Sequence, residues 1–353
     1  MRRHSPGVQS LRMKPLRFLT LRFLDSSAMP ATDLGCRKAE KVFDELERFM
    51  TTTTETIHEL HPELTADTLA RALLSCVFEP GDTDAGVLVN ALGAVEAVQA
   101  ILDTDDDRAT EQLRERARPR FNPVAVKHAL RTAARLGVVL VTPEHPHWPT
   151  RVNDLGAHAP IGLWVRGNTE ILIDPKTTAI VGARASTGYG EHITMEIAAG
   201  LVERGHTIAS GAAYGVDGYA HRAALASKGR TIAYLAGGVD RFYPVGHEAL
   251  LSQIVKMGAV VSEVPCGTTP TKFRLLQRNR LIAANSGAVL VTEAGYRSGS
   301  LNTAGHARDL GRPIGAVPGP VTSAASAGAH RLIRDHLATL VTNTDEAAAL
   351  QEG

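Results

Sequence analysis

Cysteine is scarce in this chain of 353 residues, and the three cysteines, Cys36, Cys76 and Cys266, lie far apart in the sequence. They form no CxxC pair, and no histidine cluster has the spacing of metal ligands, which argues against a disulfide framework and against a zinc site. No apolar run approaches the roughly eighteen residues that a membrane-spanning helix requires. We therefore expect a protein of the reducing cytoplasm that needs no metal or cofactor and does not enter a membrane.

A dominant charge of one sign is absent too. The 38 basic residues nearly balance the 37 acidic ones, and the formal net charge is +1. Any affinity for a polyanion must then come from a local basic patch, because the field of the whole protein is weak. Hydrophobic residues make up 44% of the chain and charged residues 21%, which is typical of a folded domain, and the length predicts two domains and a tail.

The composition changes along the chain and divides it into segments. Residues 1–24 carry six cations and no acidic residue, and we interpret this region as a disordered leader, with Met29 as an alternative start. Further on, apolar residues such as Leu69, Leu73 and Leu74 recur at helical spacing. The predicted segments are a disordered basic leader (1–35), a small helical domain (36–137), a Rossmann-like domain (138–345) and a tail (346–353).

Beyond Gly137 the pattern changes to short β-branched runs, each ending near a glycine and followed by an amphipathic stretch. This alternation is typical of βαβ units, and six such runs predict an α/β fold with one mainly parallel sheet covered by helices on both faces. The predicted strands are residues 178–181, 207–210, 231–236, 260–263, 288–292 and 314–317.

Glycine, serine and arginine dominate the turns after these strands. Ligands collect at the carboxyl ends of parallel strands, where glycine lets backbone N–H groups approach a phosphate and arginine can hold its oxygens. The turns therefore predict a rim that binds phosphate, although glycines in this position can also serve only to make tight turns. The candidate residues are Gly182, Arg184 and Ser186; Gly211, Ala212, Tyr214 and Gly215; Gly237 and Gly238; and Arg297, Ser298, Gly299 and Ser300.

A further basic segment, predicted as a loop, precedes the fifth of these strands. It places four cations and one aromatic residue within nine positions, a mixture that suits single-stranded DNA, whose backbone needs cations and whose bases need a flat partner. A solvated basic helix start is the alternative interpretation. The candidate residues here are Lys272, Phe273, Arg278, Asn279 and Arg280.

With these segments in place, residues 140–345 resemble the DNA-processing protein A (DprA/Smf) family. The resemblance rests on a series of motifs in a fixed order. They are Gly182-Ala183-Arg184, Ser210-Gly211-Ala212-Ala213-Tyr214-Gly215-Val216-Asp217, Gly237-Gly238-Val239-Asp240-Arg241 with Tyr243-Pro244, Gln277-Arg278-Asn279-Arg280, and Arg297-Ser298-Gly299-Ser300-Leu301-Asn302-Thr303.

The resemblance implies an extended Rossmann-like fold that forms a homodimer and binds single-stranded DNA. It further implies that the protein protects incoming strands and helps to load the RecA recombinase during natural transformation and recombination. By the same resemblance, Arg184, Lys272, Arg278 and Arg280 hold DNA phosphates.

The chain departs from the family pattern at two positions near the expected DNA site. Family members commonly carry phenylalanine where this chain has Leu275, and Phe273 lies two residues earlier. Many members carry arginine where this chain has Tyr214. Many also end in a winged-helix domain, which we do not expect in a chain that stops at Gly353.

Enzymatic alternatives are open but lack a complete set of catalytic groups. Asp217 and His221 lie four residues apart and can share a helix face, yet no nucleophile elbow or second carboxylate accompanies them. The phosphoribohydrolases on this fold use a turn that ends in glutamate, and the corresponding turn here, Ser298–Ala304, has none. We therefore predict no catalytic residue and assign Asp217, His221 and Glu293 to loop anchoring. A nucleotide sensor would not need the basic 272–280 segment.

Overall fold

The computed structural model describes residues 65–102 and 108–352. The predicted leader, the first part of the predicted helical domain, the acidic run Asp103–Asp107 and Gly353 lie outside the described residues. Within them, five α-helices precede the sheet. These are α1 (Ala66–Val77), α2 (Thr83–Leu92), α3 (Ala94–Leu102), α4 (Arg108–Ala117) and α5 (Pro123–Leu136).

Local sequence signals set the ends of these helices. The Thr65 hydroxyl accepts a hydrogen bond from the Thr68 N–H at the start of α1, and Asp82 does the same for Ala85 in α2. Helix α5 ends at Gly137, which has the left-handed φ of 64° that glycine adopts without strain. No single helix among the described residues is long and apolar enough to cross a membrane, although α2 and α3 satisfy that test as a pair bent by 116°.

Nine strands form a single sheet in the order β1-β2-β6-β5-β4-β3-β7-β8-β9. Strands β3 to β9 pair in parallel, whereas β1 pairs antiparallel with β2, and β2 pairs antiparallel with β6. The strands are β1 (Val138–Val141), β2 (Leu163–Gly167), β3 (Thr177–Gly182), β4 (Thr207–Ser210), β5 (Thr231–Leu235), β6 (Ala259–Ser262), β7 (Ala288–Glu293), β8 (Ile314–Ala316) and β9 (Thr339–Leu340).

Helices cover both faces of this sheet. They are α6 (Gly188–Glu203), α7 (Val216–Ala226), α8 (Glu248–Met257), α9 (Lys272–Ala284), α10 (Ser300–Asp309), α11 (Ala327–Arg334) and α12 (Thr344–Ala349). The predicted α/β fold with a mainly parallel sheet and preceding helices is confirmed. The six predicted strands are present, one with the predicted ends and the others with ends shifted by one residue. Strands β1, β2 and β9 were not predicted; β1 and β2 pair antiparallel and so lack the alternation with crossover helices on which the prediction relied.

The helical region and the sheet share one hydrophobic core. Leu69 and Leu74 of α1 belong to the same buried cluster as Trp164 of β2 and Leu250 of α8. The Trp164 indole N–H also donates a hydrogen bond to the Ser75 hydroxyl, with 3.3 Å between Nε1 and Oγ. The change in sequence pattern near residue 137 therefore does not mark a gap between separately packed units.

The described part of the segment predicted as a tail, residues 346–352, packs against the sheet. Ala347 of helix α12 and Leu350, which directly follows it, join the cluster that also holds Ile197 and Leu290. Gln351 donates a hydrogen bond of 3.0 Å to the Thr177 carbonyl oxygen at the start of β3. Ala347 therefore contributes a small side chain to a packed contact face.

Candidate nucleic-acid interface

The carboxyl ends of β3 and β7 border a cleft of about 610 Å³. The cleft lies where the strand order reverses, because β3 is followed by β4, β5 and β6 on one side and β7 and β8 lie on its other side. Open parallel sheets bind ligands at such a switch point. Its walls come from the turns after β3 and β7 and from one side of α9.

The turn after β3 presents Arg184 to the cleft. Arg184 is exposed, lines the cleft and forms no ion pair with any described residue. Glu293 at the end of β7 anchors this turn. Its carboxylate accepts hydrogen bonds of 2.8 Å from the Thr187 N–H and 2.7 Å from the Thr187 hydroxyl. Ser186 is half-buried beside it. An arginine on an anchored turn is suited to hold a phosphate oxygen.

The turn after β4 is held by a second buried carboxylate and by a histidine. Asp217 accepts hydrogen bonds from the N–H groups of Gly211 (3.2 Å) and Ala213 (3.3 Å). Burial raises the pKa of Asp217, and the nearby charge of Arg278 opposes that rise. His247 Nδ1 donates to the carbonyl oxygen of Ala212, which has an unusual positive φ of 54°. Tyr214 at the tip of this turn remains half-exposed.

Most of the predicted turn glycines serve packing and do not open the backbone to a ligand. A Cβ on Gly182 would overlap Val216, one on Gly211 would overlap the Arg278 guanidinium, and one on Gly215 would overlap the backbone after β3. Gly299, in contrast, is exposed and has no atom within 4 Å of where its Cβ would lie.

Gly237 and Gly238 do not reach the cleft. They pack beneath the segment 265–270, where Gly238 N–H donates to the Thr268 carbonyl oxygen at 2.9 Å. Neither glycine of the turn after β5 is therefore among the residues that line the cleft, and a phosphate contact at this turn stays a prediction.

The segment predicted as a basic loop is the first part of helix α9. Thr271 caps this helix, since its hydroxyl accepts a hydrogen bond of 3.2 Å from the Arg274 N–H. The backbone of this segment is therefore a helix start, as in the alternative interpretation of the sequence. Lys272 and Phe273 are exposed in the first turn, and Leu275 and Leu276 line the cleft one turn later.

The arginines of α9 differ in their accessibility. Arg278 lines the cleft but is 6% exposed, and its Nη1 donates to the carbonyl oxygens of Gly211 and Tyr234. Burial lowers the pKa of Arg278 to about 10, and Arg184 adds to that shift. Arg280 is 2% exposed and forms an ion pair of 2.6 Å with Glu263. This placement speaks against the phosphate contact expected for Arg280, because its charge is already neutralised away from the cleft.

The turn after β7 completes the cleft. Arg297 is exposed and forms no ion pair with a described residue, and the neighbouring Ser298 hydroxyl lies 2.7 Å from that of Ser300. Asn279 of α9 donates to the Asn302 side-chain oxygen at 3.1 Å and so joins α9 to α10. Arg297 itself is not among the lining residues. Of the residues predicted from sequence, the cleft lining brings together Gly182, Arg184, Asp217, Arg278, Asn279, Ser298, Gly299 and Ser300.

Asp217 and His221 do not form an acid/base pair. Asp217 binds the backbone of the β4 turn, whereas His221 Nδ1 lies 2.7 Å from the Thr231 hydroxyl oxygen. The Thr231 hydroxyl donates to the Ile208 carbonyl, so it accepts from the imidazole. Burial lowers the pKa of His221 to about 3, which keeps the ring neutral. Asp217 lines the cleft, but its carboxylate is engaged by the turn backbone, and His221 is not among the residues that line the cleft.

Several residues of the site were missed by sequence reasoning. Tyr243 and Pro244 come from the segment after β5 and line a recess beside the cleft, and buried His247 supports the β4 turn. The sequence places Tyr243-Pro244 in a family motif but predicts no role for it. Its position after a predicted strand was the available signal.

These features define a class: a Rossmann-like α/β protein with an arginine-bearing cleft at the switch point of its sheet. Within that class, the chain belongs to the DNA recombination-mediator protein A family, whose model matches residues 139–351. The resemblance drawn from the motifs is thereby confirmed.

Relatives and solved structures agree with this membership. A DprA protein of Mycobacterium tuberculosis is 44% identical over 289 residues, which cover 78% of this chain and 73% of the relative. The structure of DNA processing protein A from Streptococcus pneumoniae has a TM-score of 0.67 at 29% identity and covers 81% of this chain and 98% of that protein. The structure of DNA processing protein A from Helicobacter pylori, described by its single-stranded DNA binding mode, has a TM-score of 0.55 at 28% identity and covers 60% and 94%.

Proposed function

We propose that this chain binds single-stranded DNA along the cleft between the β3 and β7 turns and acts in recombination by delivering that strand to the RecA recombinase. The observation that carries the proposal is exposed Arg184 in the lining of the cleft, with exposed Arg297 next to the lining residue Ser298 on the turn after β7. No acidic side chain neutralises either within the described part of the chain. One cation in the cleft and a second beside it supply the local basic patch that a nearly neutral protein needs.

A single strand fits this surface better than a duplex does. Phe273, Tyr214 and Tyr243 are each about half-exposed near the cleft. The bases of a single strand are free to stack on such rings, whereas the bases of a duplex already stack on one another. The relative from Helicobacter pylori, a single-stranded DNA binding protein, supports the same choice.

Binding, rather than catalysis, accounts for the ionisable groups around the cleft. The carboxylates of Asp217 and Glu293 accept hydrogen bonds from turn backbone, and His221 is buried and neutral. These groups therefore hold the turns in place, as a preformed binding site requires. A mononucleotide sensor is the competing function, and it would leave the exposed Lys272 and Phe273 of α9 without a ligand.

The partner and the assembly belong to the same proposal. The family description as a recombination mediator supports a handover of the strand to RecA, and we propose that a homodimer performs it in the cytoplasm. A mediator must hold a strand firmly and still release it, which suits a site built from a few phosphate contacts and base stacking.

Fluorescence anisotropy with labelled single strands, duplex of the same sequence, and labelled mononucleotide tests the proposal. We expect tight binding of the single strand, weak binding of the duplex and the mononucleotide, and an affinity that falls steeply as salt rises. Equal affinity for mononucleotide and oligonucleotide would instead establish the sensor. Release of base or cleavage of the strand by purified protein, lost in Asp217→Asn or Glu293→Gln, would establish an enzyme.

A further inference from the structure

A recess adjoins the cleft on the side of the β4 and β5 turns. Tyr214, Tyr243 and Pro244 line it together with Leu235 at the end of β5. The recess and the cleft share Arg184, Ala213, Leu275 and Arg278 as lining residues. The two spaces are therefore neighbours, and Arg184 stands at their common border.

Two aromatic rings form part of the wall of this recess. The side chain of Tyr214 is 50% exposed and that of Tyr243 is 45% exposed. Both rings are therefore accessible to a ligand. No acidic residue is among the described residues that line the recess. Its surface thus combines flat apolar rings with the guanidinium of Arg184, which is the combination that a nucleobase and its adjoining phosphate require.

The Tyr214 ring is held in place before any ligand arrives. It packs edge-to-face on the buried His247 ring, with 4.9 Å between the ring centroids and an angle of 70°. His247 is fixed in turn by its hydrogen bond of 3.0 Å to the Ala212 carbonyl oxygen. A Cβ on Gly246 would lie 2.7 Å from the Tyr214 hydroxyl oxygen, so the glycine leaves room for that hydroxyl. A ring positioned in advance loses little conformational freedom when a base stacks on it.

From these observations we infer that Tyr214 and Tyr243 form a base-stacking subsite, in which one nucleobase of the single strand packs against the tyrosine rings while Arg184 holds the adjoining phosphate. The inference rests on the proposed function, since it describes how the same strand continues beyond the cleft. It assigns Tyr214 a contact with a base, and it adds Tyr243 and the supporting His247 to the site.

Two oligonucleotides of equal length, one normal and one with an abasic site at every position, separate base contacts from phosphate contacts. We expect Tyr214→Ala to weaken binding of the normal strand about 10-fold, within the range measured for loss of one stacked base, and to leave the salt dependence unchanged. Tyr243→Ala acts in the same direction. Binding of the abasic strand should be equal for wild type and both variants, because that strand has no base to lose.

Tyr214→Phe is the matched control, since it keeps the ring and removes only the hydroxyl, and its affinity should stay within about 2-fold of wild type because stacking depends on the ring face. Tyr214→Trp adds a direct readout. The native Trp148 and Trp164 are buried, so a new exposed indole reports on the recess. Its emission should be quenched by the normal strand and unchanged by the abasic strand.

The outcomes distinguish this inference from the proposed function. If wild type binds the normal strand tightly but Tyr214→Ala and Tyr243→Ala bind it equally well, the subsite is overturned and the proposed function stands. The subsite is also overturned if the alanine variants weaken the normal and abasic strands alike. If wild type fails to prefer a single strand at all, the proposed function fails first.

Discussion

At the scale of single residues, the two arginines that face the cleft have different roles. Arg184 is exposed on a turn anchored by Glu293, so its guanidinium is available to a ligand. Arg278 is buried behind it and binds two carbonyl oxygens of the protein. Substituting each arginine should therefore have a different effect, although sequence alone assigned both to DNA phosphates.

Arg184→Ala removes one phosphate partner. We expect single strands of every sequence to bind more weakly by a similar factor, and the slope of log affinity against log salt to fall by about 0.7 for the lost contact. The melting temperature should not change, because Arg184 forms no ion pair with a described residue. Lys176→Ala is the matched control, since Lys176 is exposed just before β3, at the opposite edge of the sheet. An unchanged salt slope in Arg184→Ala would remove this residue from the phosphate site.

Arg278→Ala should lower stability as well as affinity. The change leaves the Gly211 and Tyr234 carbonyl oxygens without their donor and takes a countercharge away from buried Asp217. We expect a loss on the order of 2 to 3 kcal/mol in the free energy of unfolding, measured by urea denaturation. Arg278→Lys keeps the charge but cannot reach both oxygens with a planar fork, and it should recover only part of the loss. An unchanged urea midpoint in Arg278→Ala would contradict the structural role.

At the scale of elements, helix α9 connects the cleft to the helical region. Its Arg274 forms a two-pronged ion pair with Glu79, at 2.8 and 2.9 Å, in the loop between α1 and α2. Its Arg280 pairs with Glu263 at the end of β6. These contacts hold one side of the helix and leave Lys272 and Phe273 to solvent.

Phe273→Ala tests whether this first turn provides a stacking face. The ring is 50% exposed, so it is not a core residue and its removal should leave the melting temperature unchanged. We expect single-strand affinity to fall by on the order of 1 to 3 kcal/mol with no change in the salt slope, since the side chain carries no charge. Leu275→Phe should tighten binding, because Leu275 lines the cleft. A stable Phe273→Ala protein with normal affinity would show that no base stacks at this turn.

At the scale of the whole molecule, the end of the chain is part of the core. Helix α12 covers one face of the sheet, and Gln351 binds the first residue of β3, the strand from which the Arg184 turn extends. A deletion at this end should therefore destabilise the whole sheet.

Deleting residues 344–353 should destabilise the protein. The deletion removes Ala347 and Leu350 from a buried cluster and leaves the Thr177 carbonyl without its donor, and burial of one leucine alone contributes about 1.5 to 3 kcal/mol. We expect a clearly lower urea midpoint. Deletion of residues 352 and 353 is the control, because Glu352 is exposed and lies beyond the last buried contact. If both deletions unfold at the same urea concentration as wild type, the segment is a tail after all.

The sequence by itself determined the alternation of strands and helices, the mainly parallel sheet and the set of turns that meet at its carboxyl edge. These follow from local signals, since β-branched runs and glycine turns act within a few residues. Motif order also determined the family. The sequence did not predict strands β1 and β2, because they pair antiparallel and no crossover helix separates them from their neighbours.

Only the tertiary structure decided which predicted residues face a ligand. Arg278 and Arg280 belong to the same basic run as Lys272, yet a helix turns successive side chains to different sides, so two of them are buried against Gly211 and Glu263 while Lys272 faces solvent. Gly237 matches the glycine pattern as well as Gly299 does, but neighbouring backbone fills the space beside it. Tyr243 reaches the Tyr214 turn only because β5 lies next to β4 in the sheet. Exposure and proximity depend on packing between distant segments, and no local pattern encodes that packing.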